Sequence, residues 1–357
     1  NFQHFLNAIF QVARFGYPAR RLIVIGVTGT DGKTTTSHIT WEILKRAGFR
    51  AALLSTVGAY VGDEQIDTGF HVTTPDPDKI QSLLSKFRKM GVTHVILEVT
   101  SHGLDQHRVL GCNFKVGVLT NITHEHLDYH KTFERYRAAK AKLFHGVETA
   151  IINRDDEAFT LIKGKTKKRA KVISFGVSNQ ATIVGKSISI NSGGMEFWAS
   201  EGGKKSKIQT SLIGEYNVSN ILAAAGVARS FGIDWGIIAG AVKSFGGVAG
   251  RMEVISVLQD FTVVVDFAHT PGAYEQVFKT LIKLKPKGSK LIAVFGAPGE
   301  RDREKRPMMG KTATRFCDFM VLTTDDPRHE NPERIIGEIT RGIRQDAQVL
   351  DGVSDWR

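Results

Sequence analysis

The stretch Gly26-Val-Thr-Gly29-Thr-Asp-Gly32-Lys33-Thr34-Thr35-Thr36, directly after the apolar run Leu22-Ile-Val-Ile25, constrains this chain more than any other segment. It reads as a buried strand, a glycine-rich turn and the start of a helix. Such a junction aims backbone N–H groups and a helix N-terminus at a polyphosphate, adds the Lys33 ammonium, and offers the Thr34 hydroxyl to Mg²⁺. The spacing departs from the common phosphate-loop pattern, which needs glycine five residues before Gly32, where Val27 stands. A glycine-rich loop alone fits an ordinary tight turn. The strand before it, the Lys-Thr pair after it and the amphipathic segment that follows (Ile39, Ile43, Leu44, Ala47) favour a nucleotide site.

That junction sits in a wider alternation. Strands are expected at 22–27, 51–56, 93–99, 114–120, 148–153 and 171–175, and helices at 33–47, 78–90, 133–145 and 156–162. This is an α/β pattern, a mostly parallel sheet covered on both faces. Residues 181–213 read instead as a small antiparallel β insertion, with helices at 217–231 and 234–245 behind it. Gly246-Gly247-Val-Ala-Gly250 reads as a hinge. Beyond it alternation resumes in a smaller α/β unit, with strands at 261–267, 290–296 and 319–324 and helices at 273–284, 307–316 and 332–343. The expected division is 1–20 as a helical remnant or linker, 21–248 as the central domain and 249–357 as the smaller one.

The net charge of +12 implies anionic partners, which nucleic acid, nucleotides and phosphorylated metabolites all satisfy. The basic runs 163–171 and 283–287 carry no interleaved aromatics for base stacking, so they read as solvated surface. Cys112 and Cys317 make neither a disulfide framework nor a zinc site and suit a reducing, cytoplasmic compartment. No run approaches the apolar length of a membrane span. Residues 1–21 lack a basic leader and a cleavage site, so a signal peptide is not expected. Residue 1 is not Met, and further residues upstream are expected.

Four other constellations carry chemistry. Glu98 ends the strand Val95-Ile-Leu-Glu98, where either a Mg²⁺-coordinating acid or a salt-bridged edge carboxylate belongs. The segment from Asn121 to His130 packs His124, Glu125, His126, Asp128 and His130 after another strand, as metal or phosphate ligands or as a chance surface cluster. Asp266 closes Val263-Val-Val-Asp266 and suits ribose hydroxyls, with His269 near a base. Thr324-Asp325-Asp326-Pro327-Arg328 follows the last strand, with Arg328 placed for a carboxylate held bidentately. Pro307 suits a first helical position. Lys140, by its spacing alone, is a snorkelling surface lysine.

The order of motifs resembles the Mur ligases, over nearly all of residues 21–345. The matching stretches are Gly-Val-Thr-Gly-Thr-Asp-Gly-Lys-Thr at 26–34, Thr-Thr-Pro at 73–75, Glu-Val-Thr-Ser-His-Gly-Leu at 98–104 and Gln-His-Arg at 106–108. They continue with His-Leu-Asp-Tyr-His at 126–130, Ala-Ala-Lys at 138–140, Gly-Glu-Tyr-Asn-Val-Ser-Asn at 214–220 and Gly-Arg-Met-Glu at 250–253. The last are Asp-Phe-Ala-His-Thr-Pro at 266–271, Lys-Arg-Pro at 305–307 and Asp-Asp-Pro-Arg at 325–328. Within the family the likeness is greatest to the branch adding the third peptide residue.

The resemblance implies a central phosphate-loop domain and a Rossmann-like second domain that together make an amide bond at the expense of ATP, through an acyl phosphate. Gly29, Thr30, Asp31, Gly32, Lys33, Thr34 and Thr35 would hold ATP phosphates, Asn217 and Asn220 the adenine surroundings, and Arg251 and Asp266 phosphate and ribose. Thr34, Glu98, His126 and Lys140 would serve Mg²⁺, Lys140 as a CO₂-derived carbamate. The catalytic set implied is Lys33, Glu98, His126 and Lys140. Thr73, Thr74, Ser101 and Arg108 would meet a UDP-muramoyl-peptide acceptor. Asp325, Asp326 and Arg328 would meet a free amino acid, expected to be meso-diaminopimelate, with Arg328 on its distal carboxylate. A monomer without nucleic-acid partner or membrane span is expected, serving peptidoglycan precursor synthesis.

Three residues depart from the family pattern: Asp326 stands for Asn, Glu125 for Asp and Phe267 for Tyr. The family's UDP-binding domain and its C-terminal Gly-x-Gly-His-Glu segment have no counterpart in the sequence, so a fragment or a compact relative with an altered substrate is expected. The alternatives are a related ligase of folylpolyglutamate or cyanophycin type, a nucleotide-binding subunit without ligase activity, and a nucleic-acid-binding ATPase. The Thr-Thr-Pro and Gln-His-Arg motifs argue against the first, the intact Lys33, Glu98, His126 and Lys140 against the second. The third rests on charge alone.

Overall fold

The computed structural model describes residues 2–62, 64–66, 72–123, 125–191, 193–255, 257, 259–343 and 349–351. They form two compact units, one of residues 1–122 and 132–249, the other of 123–131 and 250–357.

The first unit is built on an eleven-stranded sheet. At its centre Ile23–Thr28 pairs in parallel with His94–Glu98 on one side and Phe114–Leu119 on the other. Ile25 and Val27 face one hydrophobic cluster while Val24 faces another, and every one of these side chains is buried. A strand covered on both faces has no polar face to show, which explains the unbroken apolar run in the sequence. Lys33–Arg46, Tyr216–Ser230 and Trp235–Ser244 supply the first cluster's helical side. Pro77–Lys89 and Phe133–Ala141 contribute to the second.

The antiparallel strands Ile183–Asn191, Gly194–Glu201 and Lys204–Thr210 do not form a layer of their own. Ile183–Asn191 pairs in parallel with Lys171–Gly176, so the insertion extends the main sheet. At the opposite edge the short strands Ala59–Val61 and Glu64–Ile66 add a hairpin too brief to show as a periodic pattern. Ala51–Leu54 stops two residues before the expected 56, freeing Ser55 and Thr56 for side-chain bonds. The helix from Phe133 tightens into a 3₁₀ turn over Lys142–His145.

In the second unit Ile292–Phe295 and Phe319–Leu322 pair in parallel, followed by Val349–Asp351. A separate antiparallel pair joins Glu253–Ile255 to Val263–Val265. The buried faces of Ala293, Met320 and Leu322 pack with Phe278, Met309 and Ala313 from the helices Pro271–Leu284 and Lys305–Phe316. Pro307 is the third residue of that last helix, not the first. Proline is tolerated throughout a first turn, because N–H groups there have no intrahelical acceptor. Among the described residues no helix is long and apolar enough to cross a membrane.

Candidate functional site

The turn after the central strand is shaped by what it cannot accommodate. A Cβ on Gly29 would collide with Thr120 Oγ1, and one on Gly32 with Asn220 Oδ1. Gly32 also has φ 81°, a left-handed conformation that glycine adopts without strain. It precedes Lys33–Arg46, and no side chain caps this helix. The first turn of such a helix points its N–H groups toward the loop, a geometry suited to an anion. The helix is rich in threonine, a poor helix former, and the buried Thr40 Oγ1 donates back to Thr36 O at 2.7 Å. Tertiary packing rather than propensity holds it.

Hydrogen bonds from the next strand fix the loop. Asp31 N–H donates to Asn121 Oδ1 at 2.8 Å and Thr30 N–H to Asn121 O at 2.9 Å. Thr120 Oγ1 donates to Asp31 O at 2.6 Å. The Thr30 and Tyr136 hydroxyls lie 2.9 Å apart. Lys33 Nζ folds over the loop onto Gly29 O and Thr30 O at 3.0 and 2.8 Å.

Lys140 corrects the reading of a surface lysine. It is 1% exposed, donates to Gly29 O at 2.7 Å, and its Nζ sits 4.6 Å from the Tyr136 ring centroid. The helix carrying it packs against the phosphate loop, which its own spacing could not reveal.

Glu98 is wholly buried at the edge of its strand. Thr34 Oγ1 donates to its Oε2 at 3.1 Å, Thr56 N–H to Oε1 at 3.2 Å and Thr56 Oγ1 to Oε2 at 3.0 Å. Hard oxygen donors at the mouth of a phosphate cradle are a set suited to Mg²⁺. Among the described residues no three of His, Cys, Asp and Glu gather into a ready-made metal cluster.

Thr73, Thr74 and Arg108, expected from the sequence to meet the acceptor, are linked to Glu98 and its neighbour Thr56. Thr73 Oγ1 lies 3.0 Å from Thr56 Oγ1 and can donate to it, since the Thr56 hydroxyl proton is on Glu98. Thr74 Oγ1 donates to Glu98 O at 3.1 Å and accepts from Thr100 N–H at 2.9 Å. Arg108 donates from Nη1 to Thr74 O at 3.0 Å and lies 3.5 Å from Asp76. Ser101 Oγ is buried and has no hydrogen-bond partner among the described residues. Asn217 and Asn220 are linked at 2.8 Å, and Asn220 Oδ1 accepts from Thr36 Oγ1 at 3.3 Å, tying their helix to the phosphate-loop helix.

The second unit holds the remaining residues. Asp266 accepts one backbone N–H on each carboxylate oxygen, from Met252 at 2.8 Å and Ala268 at 2.7 Å. Burial raises its carboxyl above the usual carboxylate value, against the pull of those donors and of Arg251. Arg251 lies 4.5 Å from the Phe267 ring centroid. Glu125 is buried, with His269 Nε2 at 2.9 Å and His126 Nε2 at 3.5 Å. His124 falls outside the described residues. Burial lowers the Lys305 ammonium despite Glu125, Asp302 and Asp128 nearby. Arg328 has φ 50°, uncommon for a residue with a side chain, and its Nε is 3.5 Å from Asp326 Oδ2. Asp325 lies on the same turn, where a Cβ on Gly296 would press on its N and Cβ.

Residue reasoning missed Thr56, Thr120, Asn121 and Tyr136. Thr56 and the Thr120–Asn121 pair leave strands that flank known site strands at their carboxyl edge, a position that marks ligand sites in parallel sheets. Tyr136 carried no such signal.

Comparisons with known proteins show the family. Residues 27–228 match the Mur ligase middle domain and 250–356 the Mur ligase, glutamate ligase domain. The UDP-N-acetylmuramoyl-L-alanyl-D-glutamate–2,6-diaminopimelate ligase of Aquifex aeolicus (strain VF5) is 41% identical over 338 residues, 94% of this chain and 68% of that one. A solved structure of an enzyme of that description superposes with a TM-score of 0.68 at 34% identity, covering 93% of this chain and 68% of its own. Folylpolyglutamate synthase of Mycobacterium tuberculosis complexed with ADP reaches a TM-score of 0.82 at 18% identity, over 98% of this chain and 85% of that one, a likeness of fold.

Proposed function

The chain belongs to the Mur ligase family of ATP-dependent amide ligases, and from that premise we propose that it joins meso-diaminopimelate to a UDP-muramoyl-dipeptide acceptor in peptidoglycan precursor synthesis. The observation that carries this reading is the junction of two half-sites at Glu98. Its carboxylate meets Thr34 of the phosphate loop, while its backbone carbonyl meets Thr74 of the Thr-Thr-Pro segment.

In this reading the glycine cradle and the uncapped helix end bind the polyphosphate. Lys33 offsets charge on the phosphoryl oxygens as the acceptor carboxylate attacks the γ-phosphate, giving an acyl phosphate and ADP. The amine of the incoming amino acid then displaces phosphate. Thr34 and Glu98 would hold Mg²⁺, Lys140 and His126 are further candidate metal-serving residues, and the metal when bound supplies Lewis-acid stabilisation of phosphoryl charge. Addition of CO₂ to the Lys140 amine, with loss of one proton, would make it an anionic oxygen donor. Asp266 keeps lone pairs free for ribose hydroxyls, since each carboxylate oxygen has taken one N–H. Asn217, Asn220 and Arg251 complete the nucleotide contacts.

Thr73, Thr74, Ser101 and Arg108 receive the muramoyl peptide, and Asp325, Asp326 and Arg328 the amino acid. All these groups come from one polypeptide, which fits a monomer. Free Cys112 and Cys317 fit the cytoplasm, where ATP is plentiful. The test is ADP release with ATP, Mg²⁺, UDP-muramoyl-dipeptide and meso-diaminopimelate. Release should need both the acceptor and the amino acid and should yield the tripeptide by mass. Failure of every dipeptide acceptor to stimulate it would overturn the reading.

A further inference from the structure

Arg306 has no role in the reaction as derived so far, yet its side chain is wholly buried. Its Nη1 donates to Glu330 Oε2 at 3.1 Å and Glu338 Oε2 at 2.6 Å. Its Nη2 donates to Pro298 O at 3.0 Å and Glu330 Oε1 at 3.2 Å. One guanidinium thereby ties together the turn at Pro298, the loop ending at Glu330 and the helix Pro332–Thr340. The bracing continues through the backbone. Glu330 N–H donates to Pro327 O at 2.9 Å and Gly299 N–H to Asp326 O at 2.7 Å. A Cβ on Gly299 would strike Pro327 O, so these two backbones touch.

Burying a charge is costly unless it is fully paired, and an apolar side chain would fill the same space without that cost. What the guanidinium adds is a fixed geometry for the segment between its anchors. That segment carries Asp325, Asp326 and the left-handed Arg328.

We propose that Arg306 is a positioning residue for amino-acid recognition, holding the 325–328 turn through Glu330 and Pro298 so that Asp325, Asp326 and Arg328 meet the incoming amino acid in one arrangement. The inference rests on the reading that this turn receives the amino acid. Arg306 also holds the Glu330 carboxyl down to about 2, so the bridge is charged at every working pH.

Steady-state kinetics of Arg306→Lys and Glu330→Gln, beside Arg328→Ala, test it, with ATP and meso-diaminopimelate varied separately. Both bridge variants should raise the amino-acid KM by about 10-fold or more, with kcat at saturation changed by less than roughly threefold and the ATP KM unchanged. Glu330→Gln keeps the side chain's shape and decides the matter if Arg306→Lys does not fold. Should Arg328→Ala leave the amino-acid KM unchanged, the reading of the turn falls. Should it raise that KM while neither bridge variant does, the positioning role falls. A loss spread equally over both KM values and kcat would also overturn it, as the mark of general damage.

Discussion

The phosphate loop of the first unit and the Asp325–Arg328 turn of the second solve the same problem with different physics. The loop is fixed by close approach and by hydrogen bonds to its backbone and hydroxyl groups, neutral ones with Thr120, Asn121 and Tyr136 and charged ones from Lys33 and Lys140 onto its carbonyls. The turn is fixed by charge, through Arg306, Glu330 and Glu338. Hydrogen bonds inside a packed sheet edge act over one short geometry and fail when volume changes. Ion pairs around a buried guanidinium hold the turn, stay charged until strong acid, and survive small changes of shape. The loop should therefore be sensitive to added atoms and the turn to lost charge.

The largest effect should come from the loop. Lys33→Ala is expected to lower kcat/KM on the order of 10³-fold while the folded circular-dichroism spectrum persists. Gly29→Ala should come close to it, because its new methyl must displace Thr120 Oγ1. If Gly29→Ala keeps wild-type ATP affinity, the idea that volume governs this half is wrong. Thr56→Val removes the hydroxyl donor from Glu98 while the backbone N–H remains, and should cost about 10- to 100-fold in activity, partly recovered by raising Mg²⁺.

Acid titration sharpens the other half of the contrast. The Glu330 carboxyl is depressed to about 2 in the folded chain, so its stabilisation is complete above the ordinary carboxylate range and is lost as pH falls toward that value. Asp266 runs the other way, because burial raises its carboxyl. Its contribution is present at low pH and is lost as pH rises through its elevated value. Glu330→Gln should flatten the acid limb of an unfolding curve followed by circular dichroism, and Asp266→Asn should flatten the limb just above the carboxylate range. The smallest change belongs to the exposed basic run. Lys167→Ala and Lys168→Ala should shift stability by less than about 0.5 kcal/mol and leave the ATP KM alone.

The same contrast explains what could be read from sequence. The phosphate loop is contiguous, and its strand, turn and helix each announce themselves through apolar run, glycine and helical period. Glu98 was legible because a charge ending a buried strand has few structural uses. Lys140 was legible only through the Ala-Ala-Lys motif and not through its spacing, since a lysine on a helix of low amphipathicity looks solvated until the packing of that helix is known. Arg306 was invisible for a related reason. Its partners Glu330 and Glu338 lie 24 and 32 residues away, and nothing in periodicity pairs them. The hairpin at 59–66 escaped because three-residue strands carry no period, and the early end of Ala51–Leu54 because Ser55 and Thr56 are diverted by side-chain bonds that the sequence does not show.

The nine residues 123–131 count with the later unit although both neighbours in sequence belong to the earlier one. The polypeptide thus crosses over three times, after Ile122, after Lys131 and after Ala249. A gene cut at Gly250 would strand Glu125 and its bond to His269 on the wrong side of the incision. Recombination can exchange such a module intact only by moving two separate stretches together, so the two halves should be inherited as a pair.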